Sequence, residues 1–396
     1  MTTRVLEVRL PGSAHLARQH EAGNFARTLD YVPGTALRGA LAARSRGYHR
    51  ATIEQCLSAH GATFDSYFSW VFLSGRVTFS NLYPAFRNGG GTRASFVVPL
   101  SARTCKLHPG LEGDRGAAWE QPHGVVDALL SPDAAARCSK CGALLGPIGG
   151  FYTDSEGAPV RRVTPGRRLL GRTAIDDATG KVTHGALYSL EVVEAAPDSM
   201  PFLGTLRIRD GEESDQLKAF KHLLLADLDA LHEDNLHLGG DRTRGLGAVH
   251  VRLGPENLGL DLPSVATRLE RLQAVQPGCF SLTLHSDAII LDELWRYRSV
   301  IDAPVLSALS GSPQCKLERA FTQTRVVSGW NAAHRLPKEN ELAIVKGAAF
   351  LFSTAASPAE IGPWLESIER EGMGERRSEG FGEVIACHPF HLEVRR

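Results

Sequence analysis

Two glycine-rich stretches constrain this chain more than anything else in it. "GLGAV" (residues 245–249) follows "GGDRTR", and "GFGEV" (residues 380–384) follows "GERRSE", a spacing of 380 − 245 = 135 residues. Each copy carries an arginine three residues ahead of its first glycine, Arg242 and Arg377. The spacing is one small domain's length, so it predicts an internal duplication. The flanks repeat as well. Before the first loop, "DQLKAFKHLLLADLDALHE" puts Leu217, Phe220, Leu224, Leu228 and Leu231 on one helical stripe. Before the second, Ile361, Trp364, Leu365 and Ile368 fall at i, i+3, i+4 and i+7. That helix opens with Ser357 as N-cap, Pro358 at the first position and Glu360 completing a capping box. Strand patterns, "AVHVRLG" and "EVIACHPFHLEV", follow the two loops. Each half therefore ends helix, glycine loop, strand.

Glycine has no Cβ, allows positive φ and lets a backbone come close to a ligand. A loop mixing glycine and arginine can aim main-chain N–H groups and guanidinium forks at phosphate oxygens. Neither copy is a Walker A loop, since the Lys-Ser/Thr pair is missing. Neither follows a strand to open a helix, as a dinucleotide fingerprint must. One such loop alone reads first as a tight turn; two in register, each with arginine, shift the reading toward phosphodiester recognition.

At 396 residues the chain has room for two or three compact units. "VLEVRLPG" has the period of a half-buried strand. After "YVPG", "TALRGALAAR" reads as a helix with Leu37 and Leu41 on one face and Thr35 as N-cap. "RVTFSNLYP" returns as a strand. From 85 to 165 the chain turns rich in Gly, Pro and Cys and reads as an inserted lobe. "GALYSLEVV" and "FLGTLRIR" then look like paired strands, "GPENLGLDLP" like a linker, and "FSLTLHSDAIIL" and "ELAIVKGAAFLFSTA" like strands of the second half. Lys+Arg (44) balances Asp+Glu (44), so an anionic partner must be met by a local surface. The densest cationic run, "RRVTPGRRLLGR", holds Arg161, Arg162, Arg167, Arg168 and Arg172; a solvated loop is its other reading. No apolar run approaches the roughly 20 residues of a membrane span. The N-terminus lacks a signal peptide's continuous apolar core, so a soluble cytoplasmic protein is expected, with no membrane partner.

Seven cysteines, an odd number without a signal peptide, argue against a disulfide framework. "CKLH" (Cys105, His108) and "CSKC" (Cys138, Cys141) offer two short ligand pairs. Four thiolate and imidazole ligands suit a structural Zn²⁺ with no open position. His123 is the alternative to His108. A redox role for Cys138 and Cys141 lacks the surrounding βαβ pattern. Cys56, Cys279, Cys315 and Cys387 have no spaced partners and read as small core residues.

"YVPGTALRGAL" resembles the "PGSSLRG" signature of the RAMP superfamily of CRISPR effector complexes, and the paired glycine loops resemble that superfamily's terminal G-rich loop. "RTAIDDATGKVTHGALYSLEVV" resembles the hairpin and strand of type III backbone subunits. "VVSGWNAAHRLPKENELAIVKGAAFLF" is similar to the second half of the two-domain subunit of type III-D systems. Together these stretches cover most of the chain in the family's order. The resemblance implies an α+β chain of tandem ferredoxin-like (RRM-type) domains. The first would comprise 1–84 and 166–253, with a zinc lobe inserted at 85–165; a linker at 254–263 would lead to the second, 264–396.

The implied role is a non-catalytic subunit that binds crRNA, grips its repeat-derived 5′ handle and caps a type III effector complex in antiviral defence. Its partners would be crRNA, the other effector subunits and, indirectly, target RNA. RNA contacts then fall on Gly34, Thr35, Arg38, Arg172 and Ile175, and on Gly239, Gly240, Arg242, Arg244, Gly245 and Gly247. In the second half they fall on Trp330, Asn331, His334, Lys338, Gly372, Gly374, Arg376, Arg377, Gly380 and Gly382. Trp330 would stack a splayed base or else sit in the core. The stretch 174–189, with Ile175 and Asp176, would form a hairpin that wedges between nucleotides. Two rival readings keep the family and add chemistry. A crRNA-processing endoribonuclease would use His15, His20 or His49 as general acid or base. A metal-dependent target-cleaving subunit would use Asp30, otherwise a turn residue. A zinc-stapled scaffold whose arginines serve only ion pairs is the reading without nucleic acid.

Overall fold

A computed structural model describes residues 1–17, 24–47, 49–88, 91–111, 113–114, 121–133, 136–155, 158–176, 178–194, 200–209, 214–231, 236–256, 262–331, 334 and 336–394. Helices and sheets are mixed, an α+β chain. It divides into two compact units. One contains Met1–Thr92, Thr164–Gly259 and Gly329–Leu336; the other contains Arg93–Val163, Leu260–Ser328 and Pro337–Arg396. Of the linker read at 254–263, residues 257–261 lie outside the described ones.

In the first unit the Thr2–Arg9 strand is central, with Leu6 and Val8 on its buried face. It pairs antiparallel with Phe202–Ile208 on one side and Ala248–Glu256 on the other. Val77–Phe79 joins the far edge of Phe202–Ile208. Numbered along the chain, these four strands lie in the order fourth, first, third, second. The Gly34–Arg46 helix falls between first and second, and Asp215–Ala230 between third and fourth. The second unit repeats the order with Val384–Ala386, Cys279–Leu284, Ala349–Thr354 and Cys315–Phe321. Its corresponding helices are Ala303–Ser310 and Pro358–Glu371.

The helices preceding the glycine loops form as their patterns dictate. Phe220, Leu224 and Leu228 are buried on Asp215–Ala230, and the Ser214 side chain accepts the Leu217 N–H at its start. Ser357 and Glu360 close the capping box of Pro358–Glu371, whose Ile361, Leu365 and Ile368 are buried. Each unit also inserts a hairpin between its second and third strands. In the first it pairs Arg167–Ile175 with Val182–Val193; in the second, Thr324–Val327 with Glu341–Ile344. Val193 bridges Ala14, and Ile344 bridges Ala288, so both hairpins reach back to the segment following the first strand.

Several local expectations fail for identifiable reasons. "GALYSLEVV" and "FLGTLRIR" do not pair with each other; the first belongs to the hairpin and the second to the main sheet. Thr35 is not the N-cap. Pro33 occupies that position, and the Gly34 N–H donates instead to Asn81 Oδ1 at 3.0 Å, a partner 47 residues away. The strand read through "EVIACHPFHLEV" stops at Ala386, because Pro389 has no N–H for a ladder and instead precedes a short Phe390–Glu393 helix. "FSLTLHSDAIIL" leaves the sheet at Leu284. "ELAIVKGAAFLFSTA" breaks into two strands at Gly347 (φ 86°). Most of the stretch read as an inserted lobe packs with the C-terminal half. Phe96, Val98, Leu111, Val125 and Tyr152 share a core with Ile385, Phe390 and Val394, and Leu129 and Leu130 pack on Ala349 and Leu351.

Candidate functional site

The two glycine loops have nearly the same backbone. Asp241 and Arg376 are both left-handed (φ 53° and 54°), each opens a three-residue 3₁₀ turn, and each turn ends on a left-handed glycine, Gly245 or Gly380 (φ 80° and 89°). The framing hydrogen bonds repeat too. Gly247 N–H donates to Ser13 O at 3.0 Å and Gly240 N–H to His15 O at 3.0 Å. In the second unit Gly382 N–H donates to Asp287 O at 2.8 Å and Glu375 N–H to Ile289 O at 2.9 Å. A Cβ on Gly247 would overlap the Leu238 carbonyl, and one on Gly382 the Met373 carbonyl; no side chain fits there. The residues that back the loops, 13–15 and 287–289, escape sequence reasoning. Their only shared signal is the fully buried Ala14 and Ala288 at the middle position.

The side chains then diverge. In the first loop Arg242, Thr243, Arg244 and Gly245 are exposed, and a Cβ on Gly245 would meet nothing within 4 Å. Among the described residues no hydrogen-bond or ion-pair partner holds the Arg242 side chain, whose backbone carbonyl accepts the Gly245 N–H at 3.2 Å. Arg244 is steered by the Tyr188 hydroxyl at 2.5 Å and Asp241 Oδ1 at 3.0 Å. Leu246 turns inward against Leu190 and Val192 of the hairpin. That hairpin adds Arg167 and Arg168, both exposed, and Arg172, half-buried. Arg167 sits 3.5 Å from both Asp30 and Glu191. The cationic run is thus divided: Arg167, Arg168 and Arg172 stand on the hairpin strand beside the loop, whereas Arg161 and Arg162 lie on the Ala158–Val163 strand of the second unit, with Arg162 2.7 Å from Asp114. Ile175 is 63% exposed near the hairpin tip, where Asp176 Oδ1 accepts the Thr179 N–H and hydroxyl and its carboxyl is held below the usual range by those bonds.

In the second loop the cations are already engaged. Arg376 donates to Glu341 Oε2 at 2.6 Å and Glu379 Oε2 at 2.7 Å, and its guanidinium lies 4.8 Å over the Phe381 ring. Lys338 Nζ adds a bond to Glu379 at 2.9 Å. Burial pushes the Glu379 carboxyl up, but Arg376 and Lys338 outweigh it and hold it below its ordinary value. Gly380 is buried, Gly372 and Gly374 half-buried, and Arg377 donates to the Glu371 carbonyl at 3.4 Å. Phe381, in the place of Leu246, packs with Val327 and Ala343 of the second hairpin.

The remaining predicted residues are dispersed. Arg38 donates to the Phe72 carbonyl at the end of the Phe64–Phe72 helix, and Gly34 is buried. Trp330 is 63% exposed, which removes its core reading; Asn331 Oδ1 accepts the His334 N–H at 3.3 Å. His15 is buried, with Nδ1 2.9 Å from the Glu191 carbonyl, and His49 sits at the N-cap of the Arg50–Ser58 helix. His20 lies outside the described residues.

In the second unit Cys105, His123, Cys138 and Cys141 place their ligand atoms within 4.8 Å of one another. Cys105 Sγ lies 3.5 Å from Cys141 Sγ, and Cys138 Sγ 3.3 Å from His123 Nδ1. A tetrahedral ion with metal–ligand bonds of about 2.0–2.3 Å spaces its ligands by roughly 3.3–3.8 Å; these two pairs fall in that range, and the four together could hold one ion. His123, not His108, supplies the nitrogen. The His108 carbonyl accepts the His123 N–H at 3.1 Å, its ring stacks on His123 at 4.2 Å, and its own N–H donates to Cys105 Sγ at 3.4 Å. The knuckle closes through Gly142 (φ 72°), whose N–H donates to Cys138 O at 2.8 Å. Burial, then His108 and Lys140, hold the His123 pKa below its usual value, keeping the ring neutral as a ligand must be.

The described residues contain no helix long and apolar enough to cross a membrane. No curated protein matches the chain in sequence. A family model described as the RAMP superfamily matches residues 19–250. Among solved structures, the chain is similar to a chain of type III-B Cmr-beta bound to cognate target RNA, at 12% identity and a TM-score of 0.43, covering 88% of this chain and 86% of that one. It is also similar to oligomeric Cmr4 from Pyrococcus furiosus (10% identity, TM-score 0.30, 65% and 99% covered). A Cas6 product complex matches at 13% identity and a TM-score of 0.30, with 48% and 79% covered.

Proposed function

The chain belongs to the RAMP superfamily, and from that premise we propose that it is a non-catalytic crRNA-binding subunit of a type III effector complex, of the two-domain III-D-like kind. It grips the repeat-derived 5′ handle, contacts target RNA only indirectly, and works in the cytoplasm in antiviral defence. The observation that carries this reading is the first glycine loop. Its rigid, hydrogen-bonded frame leaves Arg242 and Gly245 open to a ligand, with Arg244, Arg168 and Arg172 close by on the loop and its hairpin. Such an arrangement suits a ribose-phosphate strand brought against main chain and guanidinium groups. The strand order shared by the two sheets supports tandem ferredoxin-like domains.

Binding without cutting is supported by where the candidate catalytic groups lie. The His15 imidazole is buried against a carbonyl, and the Asp30 carboxylate sits beside Arg167. We assign the Cys₃His cluster a structural Zn²⁺, held by Cys105, His123, Cys138 and Cys141. With four protein ligands the ion would leave no position for a substrate and would stabilise an insert with little core of its own. The test is to purify the chain with its copurifying RNA, sequence that RNA, and incubate a labelled handle-bearing RNA with and without Mg²⁺. Retention of intact handle RNA is the expected result. Cleavage without metal that is lost in His15→Ala or His49→Ala, or metal-dependent cleavage lost in Asp30→Ala, would replace it with a nuclease.

A further inference from the structure

Beyond the glycine loops, the second unit displays a tryptophan in a conformation that side chains rarely adopt. Trp295 has a left-handed backbone (φ 59°), and its side chain is 79% exposed. Left-handed backbone is disfavoured for bulky residues and persists only where neighbours over-determine it. Here Asp292 does so. Its Oδ1 accepts the N–H groups of Leu294 and Arg296 at 2.9 and 3.0 Å, its carbonyl accepts the Trp295 N–H at 2.9 Å, and its N–H donates to Arg296 O at 3.0 Å. Asp292 Oδ2 also fixes the Arg296 guanidinium at 2.9 Å. Arg298 N–H closes the turn onto Ile290 O at 2.9 Å, and Asp302 orients its guanidinium at 2.8 Å. The outcome is a stiff tip carrying one large exposed indole, with Arg296 and Arg298 following it.

Position adds to this. The turn grows directly out of Ile289, whose carbonyl backs the second glycine loop. That loop's own Arg376 is held by two carboxylates with its side chain only 17% exposed, whereas Arg296 on the adjoining turn, though bonded to Asp292, keeps 66% of its side chain exposed beside the ring. We propose that Trp295 is a stacking platform for an unpaired base of single-stranded RNA, with the exposed Arg296 on a flanking phosphate; this rests on the RNA-binding reading above. The tip's exposed large side chains are Leu294, Trp295 and Tyr297, with the exposed Arg296 set among them, and a cation interleaved with aromatic faces suits an anionic strand better than a purely apolar partner. A flat ring beside guanidinium groups is what sequence-tolerant single-strand binding uses.

The experiment measures affinity of the full-length chain for a short single-stranded RNA of mixed sequence, alongside thermal melting. Trp295→Gly removes the ring and relieves the left-handed backbone. It should bind about ten-fold more weakly, the order expected for one lost stacked base, while melting at or above the wild-type temperature. Trp295→Phe, which keeps a face, should retain most of the affinity. Wild-type affinity in Trp295→Gly would overturn the assignment, as would loss of a copurifying protein with RNA binding intact. An equal affinity loss in the Gly and Phe variants, with both melting lower, would assign the ring to the turn's own fold and also overturn it. A wild-type chain that binds no RNA would sink the underlying reading instead.

Discussion

Arg242 and Arg376 are neighbours in loop geometry yet have opposite electrostatic fates, which makes them a paired test. The Arg242 side chain has no partner among the described residues; the Arg376 guanidinium is shared between Glu341 and Glu379. If Arg242 meets an RNA phosphate, alanine there removes one released counterion. For a single strand that lowers the slope of log affinity against log salt by about 0.7, or about 2.6-fold in affinity change between 50 and 200 mM salt. Its melting temperature should not move. Arg376→Ala should do the reverse. Removing one partner of a fully buried pair costs about 3–5 kcal/mol. With Glu341 and Glu379 side chains 22% and 13% exposed, and Lys338 still on Glu379, about 2 kcal/mol is expected here. That corresponds to about 4–8 °C in melting temperature for a unit of this size, with an unchanged salt slope. Fluorescence-anisotropy titrations at four salt concentrations and differential scanning fluorimetry measure both. A slope change in Arg376→Ala without one in Arg242→Ala would refute the division of labour between the loops.

Three further outcomes follow from the geometry. Elemental analysis should find one zinc per chain, lost in Cys138→Ser and in His123→Ala but retained in His108→Ala; chelation should lower the melting temperature in parallel. Gly247→Ala, which drives a methyl into the Leu238 carbonyl, should destabilise by about 3 kcal/mol or more, against about 1 kcal/mol of backbone strain for Gly245→Ala, as denaturant titrations would show. Burial alone would raise the Asp127 carboxyl, but His391 at 3.0 Å and Ser101 outweigh it and hold it below its usual value. A carboxyl depressed on folding contributes stability above its unfolded pKa and loses it as pH falls through the folded one. An acid titration should therefore show the second unit loosening below the carboxylate range, a step that Asp127→Asn abolishes.

The duplication was legible because glycine at fixed spacing reports backbone conformation directly, and "GLGAV" and "GFGEV" lead to matching turns. The helices were equally legible, since periodicity and capping are local. What sequence could not supply was pairing at a distance. Asn81 capping Gly34, Arg268 buried against Glu369 and the Pro263 and Ala386 carbonyls, and His391 on Asp127 all join residues with no shared local pattern. The same reason hid the fate of Arg376. Its neighbours in sequence match those of a ligand-binding arginine, but Glu341 arrives from another element. His108 looked the better ligand by spacing alone; the fold turns His123 toward the sulfurs and leaves His108 stacked behind it.

The cysteine-bearing insert completes its interior with Ile385, Phe390 and Val394. During synthesis, Val163 leaves the ribosome roughly 230 residues before Val394, a delay on the order of 10–50 s at ordinary elongation rates. For that interval the nascent insert has an unfinished hydrophobic face and only its own ligands to hold it. With the metal proposed above, an ion captured early would serve as a scaffold tie until the tail arrives, and yield would then depend on metal supply during translation.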